Sequence, residues 1–182
     1  MADIIRKFID IEGQVYSRRF SDQGDGTYSD AGSQIGRMAA ASFTPAASAY
    51  SANDIMEGAK EFALGAPSAS NIRILSAELQ VDVSAVQSGE TSYRLYLYGV
   101  TPPSALADNA AFDVPSGDRA SFLGHIDLGA PIDLGSTLYV QTPDVNKDIK
   151  LSGTSLFGYL VTNGAFTATA AARKVTLHAM VV

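Results

Sequence analysis

The sequence predicts an all-β fold, an antiparallel β-sandwich of the jelly-roll kind with an N-terminal arm. Three observations predict it. Short runs of alternating apolar and polar residues recur between clusters of Gly, Pro, Asn, Asp and Ser. Helical spacing is confined to the first fifteen residues. The composition suits strands and turns, with 16 glycines, 46% hydrophobic and only 18% charged residues. At 182 residues the chain is long enough for one domain with its own core.

Two segments are predicted: an arm and loop over residues 1–36, and a sandwich over 37–182. In the arm, Ile4, Ile5, Phe8, Ile11 and Val15 fall at the spacing of one helical face, with Arg6, Lys7, Asp10 and Glu12 off it. Gly13 interrupts the pattern, so the expected helix is short and needs a surface to pack on. The segment is read either as a helix or extended strap lying on its own sandwich, or as an arm docked on a neighbouring subunit. The stretch SDQGDGTYSDAGSQ, residues 21–34, is loop chemistry.

The strands follow in order. RMAAASFT leads into Pro45, and NDIMEG and KEFALG are short segments closed by glycine. Residues 72–83, IRILSAELQVDV, form the longest candidate. Ile72 and Ile74 hold one phase of its alternation and Ala77, Leu79, Val81 and Val83 the other, so a β-bulge or bend is expected near Leu75 and Ser76. In YRLYLYG, Tyr93, Leu95 and Leu97 share one face and Arg94, Tyr96 and Tyr98 the other. The polar turn SAVQSGETS between these two runs predicts that they pair as a hairpin. Residues 119–129, 136–142, 155–162 and 173–182 complete about eight strands, separated by turn-rich segments at 114–118, 143–148 and 162–172. Many strands without alternating helices point to a sandwich, with a jelly roll first within that class.

Charge and residue usage exclude several functions. The net charge is −6, and the basic residues are scattered apart from Arg6-Lys7, Arg18-Arg19 and Arg173-Lys174. Neutralising phosphates needs clustered Lys and Arg, so no nucleic-acid partner is expected. No apolar run approaches the ~20 residues of a membrane-spanning helix, and the first residues lack a signal peptide's apolar stretch. The expectation is a chain made inside the cell with no membrane partner. The absence of cysteine rules out disulfides, thiolate metal sites and cysteine nucleophiles.

Catalytic patterns are missing. Ser155 in GTSLFG lacks the last glycine of a nucleophile elbow, where Phe157 stands. His125 and His178 read as strand residues, and no His-x-His suggests a cupin metal site. DVNKD, residues 144–148, opens like an EF-hand loop, but Ile149 replaces the required glycine and Ser155 the closing glutamate, so an Asx turn is the expectation. There is no glycine-rich phosphate loop. The chain is read as a non-enzyme without cofactors or metals. Tyr96 and Tyr98, which share a face with Arg94, remain as aromatics for a glycan or a protein interface.

Three stretches, ASFTPAASAYSANDIMEG, YRLYLYGVTPPSALADNAAFD and RASFLGHIDL, occur in an order that resembles small β-sandwich structural proteins of tailed bacteriophage particles, those that decorate or cement the capsid. The resemblance covers residues 41–162. It implies a virion component at the capsid surface, assembled in the host cytoplasm, whose partners are the major capsid protein and itself, as a homotrimer. It also implies an arm that grips neighbours through Ile4, Ile5, Phe8 and Ile11, and a contact loop over 100–118 stiffened by Pro102 and Pro103. That loop can lie equally on another subunit or on its own sandwich. A carbohydrate-binding β-sandwich from a phage fibre or baseplate is the alternative.

Overall fold

In this computed structural model the described residues are 36–182, together with strands β1 (Ile4–Ile9), β2 (Val15–Asp22) and β3 (Tyr28–Asp30). The chain divides into two compact units, Met1–Ile35 and Gly36–Val182. In the first, β1, β2 and β3 form an antiparallel sheet in that order, with Ile4 opposite Phe20 and Phe8 opposite Tyr16. Of the helix and the extended strap read for this segment, the helical face does not form and Ile4–Ile9 is a strand. Residues four apart also fall in phase in a two-residue period, so the spacing of Ile4 and Phe8 did not separate the two structures. Of the arm residues singled out above, Ile4, Ile5 and Phe8 lie on β1, and Ile11 lies outside the described residues.

The second unit contains β4 (Gly36–Phe43), β5 (Ala49–Tyr50), β6 (Lys60–Phe62), β7 (Asn71–Val81), β8 (Tyr93–Tyr98) and β9 (Phe122–Gly129). It continues with β10 (Ile132–Asp133), β11 (Leu138–Thr142), β12 (Lys147–Lys150), β13 (Leu156–Thr162), β14 (Phe166–Thr167) and β15 (Arg173–Val181). A six-stranded sheet runs β10-β11-β7-β15-β4, with β12 also on β7, and a four-stranded sheet runs β6-β13-β8-β9.

All pairings are antiparallel, and the order has a simple logic. Of the principal strands, the first pairs with the last (β4 with β15), then β6 with β13, β7 with β11, and β8 with β9. The second unit is a ribbon doubled on itself and rolled up, which is the topology of a jelly roll. The sequence-based class is therefore the observed one. Between the sheets lies the main core, which includes Phe43, Ile72, Ile74, Leu79, Leu95, Leu97, Leu156 and Leu177. Each such side chain, fully buried, contributes about 1.5–3 kcal/mol.

The bulge sits where the alternation slips. Opposite β15 the register moves between His178 and Ala179, from Ser76 to Ile74, and leaves Leu75 unpaired. The expected hairpin between β7 and β8 does not form, because the two strands lie in opposite sheets. Alternation specifies which residues face a core but not which sheet supplies it. Strand β12 falls partly in the segment read as a turn, since only Ile149 of its four residues is buried.

A polar group is sealed in at one end. Arg173, 1% exposed, donates to the carbonyls of Thr169 (3.2 Å) and Ala171 (3.0 Å), and its Nε faces the Tyr93 hydroxyl. Tyr93 in turn donates to the Glu90 carboxylate. Burial, with the Glu90 charge acting the same way, pushes the Tyr93 hydroxyl well above its ordinary pKa. The network fixes the 84–90 loop against the turn before β15.

Candidate functional site

The outer faces of the two sheets differ, and the difference locates the candidate surfaces. On the four-stranded sheet, β13 is buried along nearly its whole length. Its outer side carries a second core of Ile55, Tyr98, Tyr159 and Val161, against which Leu106, Phe112, Phe122 and Phe157 pack. The cover comes from two loops, 51–57 and 100–118. Ile55 donates to Ala110 O and accepts from Asn109 N, Phe112 N donates to Asn53 O, and Leu106 N donates to the Tyr159 hydroxyl oxygen at 2.9 Å.

Asp108 pins the two loops together. Its carboxylate accepts from the Ala46 amide (2.9 Å), the Tyr50 hydroxyl (2.7 Å) and the Glu57 amide (2.7 Å). Burial alone would raise its pKa, but these donors outweigh it and hold the carboxyl below its ordinary value. The Tyr50 hydroxyl is pushed up to about 12 by burial and by the same carboxylate.

The long loop thus lies on its own sandwich. Pro102 is buried in that packing, while Pro103 is exposed. Of the two candidate glycan aromatics, Tyr98 is fully buried and cannot stack on a sugar, which corrects that expectation. Tyr96 has one ring face covered by Phe112, stacked at 3.7 Å between centroids, with His125 and the Arg94 guanidinium nearby. The Tyr98 hydroxyl and Asp118 Oδ2 are both buried without a hydrogen-bond partner.

Beside this plate is a polar patch. Arg94 pairs with Asp127 at 2.6 Å, and His125 Nε2 lies 3.7 Å from the same carboxylate. A shallow cleft of about 420 Å³ adjoins it, lined by His125, Asp127, Thr142, Asp144, Asn146 and Lys147. The calcium-like run resolves into a turn at its rim. Asp144 and Asn146 adopt positive φ (54° and 45°), and the Asp148 carboxylate is held by Arg73 at 2.6 and 2.9 Å. Arg73 holds that carboxyl below its ordinary pKa. Among the described residues no group of three or more His, Asp or Glu is placed to bind a metal ion. The two histidines stand on strands of different sheets, β9 and β15, and Ser155 is buried just before β13.

Among the residues described in the second unit, none covers the outer face of the six-stranded sheet. Along β4 it presents Met38, Ala40 and Ser42, and along β15 Lys174, Thr176, His178 and Met180. Ser76, Glu78 and Gln80 of β7 lie alongside. Of these residues only Lys174 and Glu78 carry a permanent charge, in a chain with a net charge of −6. Glu78 sits 3.6 Å from His178 Nε2. Met38 is 66% exposed. Sequence reading missed this surface, although the signal was present: in RMAAASFT the outward positions are Met, Ala and Ser, where an ordinary solvent face would carry charge.

No family model and no curated protein matches the chain. Among solved structures it is similar to a chain from infectious bursal disease virus, Gx strain, at 12% identity and TM-score 0.38, covering 93% of this chain but 39% of the viral one. It is similar to the EclA C-terminal domain, a sugar-binding protein, at 12% identity and TM-score 0.31 over 86% of each chain. A turnip yellow mosaic virus chain is similar at 9% identity and TM-score 0.29, over 84% of this chain and 83% of that one. Likenesses this distant carry no argument about function. The fold rests on the chain's own strand order.

Proposed function

We propose that this chain is a non-enzymatic structural protein of a tailed-bacteriophage virion, which decorates or cements the capsid surface through protein–protein contacts. The observation that carries the reading is the bare outer face of the six-stranded sheet. Along β4 and the adjoining part of β15 it presents Met38, Ala40, Ser42, Thr176 and Met180, small side chains and methionines ringed by the charges of Lys174, Glu78, Arg73 and Asp148, which suits a surface that packs against another protein. The sequence resemblance over residues 41–162 points the same way.

In this reading the partners are the major capsid protein and copies of the chain itself in a homotrimer, assembled in the host cytoplasm. Strands β1–β3 serve as the arm that reaches neighbouring subunits. Individual contacts are modest, and repetition over a shell supplies the strength. Loop 100–118 contributes through its exposed residues, such as Pro103, because the rest is committed to its own sheet. The carbohydrate-binding alternative loses its support at Tyr98, which is buried, and at Tyr96, whose ring is covered on one face.

The deciding experiment is the copy number of the chain per purified particle, measured by quantitative mass spectrometry against the major shell protein. A count of the same order as the shell protein is expected. A few copies or none would overturn the decoration role.

A further inference from the structure

The two sheets have four principal edges, and three are guarded. Strand β10 is two residues long, and β6 is three residues long and begins with Lys60. Strand β9 carries glycines at positive φ, Gly124 (91°) and Gly129 (79°), and its register against β8 shifts twice. Short, charged or irregular edges of this kind resist pairing with another chain.

Strand β4 is the least guarded, its one charged residue, Arg37, standing at the second position. It runs eight residues, pairs with β15 without a register shift, contains no proline, has glycine only at its first position, and carries no charge from Met38 to Phe43. Among the described residues no strand pairs with its other side. Such an edge is a template for β-strand addition.

We propose that β4 pairs antiparallel with β4 of a second copy of this chain about a twofold axis at Ala40, which continues the six-stranded sheet across the axis. Met38 then lies opposite Ser42 of the partner subunit, Ala39 opposite Ala41 of the partner subunit, and Ala40 opposite Ala40 of the partner subunit. Charge selects this occupant. In a twofold strand pair, a residue near the axis meets its own kind, so any Lys or Glu there would face a like charge. The strand supplies only Ala, Ser and Met at those positions. The pairing also joins two bare outer faces into one surface twice as wide. It stands whether or not the chain belongs to a capsid.

The test uses the full chain, which contains no cysteine. Sedimentation velocity over a concentration series should show association in steps of two, monomer to dimer or, where the trimer forms first, trimer to hexamer. Ala40→Lys should raise its dissociation constant by roughly tenfold or more while leaving the circular-dichroism spectrum and Tm in place. In a mixture of isotopically light and heavy copies, Ala40→Cys with a short bismaleimide should give light–heavy cross-links between the two positions 40. Ser116→Cys, on an exposed loop, should give few or none. A monomer or a trimer throughout the series, or a doubling indifferent to Ala40→Lys, would overturn the proposal. So would a dimer whose Ala40→Cys copies do not cross-link. A bifunctional photoreactive probe on the thiol introduced at position 40 that captured residues 1–35 of the same copy would place the chain's own strands on this edge and would also overturn it.

Discussion

The two sheets share a core but treat their outer faces in opposite ways. The four-stranded sheet is covered by loops 51–57 and 100–118 and is apolar and aromatic on both sides, with Tyr98 and Tyr159 fully buried. Within the second unit the six-stranded sheet is covered on one side only, and its outer side presents Met38, Ala40, Ser42 and Thr176. The first uses its second face to hold the fold together. The second leaves its face uncovered within the unit, and the uncharged run of Met38, Ala40 and Ser42 along β4 separates that part from an ordinary solvated surface.

This contrast is sharpest at Tyr98. Replacing it with Ala should remove about 3–5 kcal/mol of stability, the range for large aromatic side chains in cores, measured by urea unfolding. A loss below about 1 kcal/mol, the size of an ordinary substitution, would mean that the loop plate is loose. At the joint between the loops, Asp108→Asn should cost about 1–3 kcal/mol, because an amide oxygen replaces a carboxylate that accepts three hydrogen bonds. The same residue sets a pH dependence. Its folded pKa is depressed, so its contribution is complete above the ordinary carboxylate pKa of about 4. It is lost as pH falls through the lower folded value. Wild-type stability should therefore fall more steeply in acid than that of Asp108→Asn, and parallel curves would contradict the assignment.

Smaller effects test the details. Tyr98→Phe removes a buried hydroxyl without a partner and should be neutral or stabilising by up to about 1 kcal/mol. On the bare face, Thr176→Arg should change stability least, within about 0.5 kcal/mol, yet release the protein from particles in a co-sedimentation assay. If binding survives that substitution, the bare face is not the contact surface.

The strands were legible because a half-buried strand writes its alternation directly, and Leu75 marks the bulge in the same way. Three features were not legible, each for a physical reason. The spacing of Ile4, Ile5 and Phe8 suits a helix face, Ile4 and Phe8 are also in phase on a strand, and the partner β2 decided between them. Tyr98 belongs to a second core whose cover, including Leu106 and Phe112, is in place only once loop 100–118 folds back. The uncovered face joins the outward Met38, Ala40 and Ser42, which RMAAASFT does display, to outward residues of β15 and β7, and that lateral pairing is written in no single stretch of sequence.

The doubled ribbon has a mechanical consequence. Gly36 enters the sandwich opposite Met180, two residues before Val182. Tension applied between residues 36 and 182 would therefore load the β4–β15 ladder at one end and open its hydrogen bonds one after another, as a zipper does. The same ladder pulled along its length would have to break them together. The sandwich should yield at low force when stretched between Gly36 and Val182, and resist far more strongly when gripped at Gly36 and Arg173.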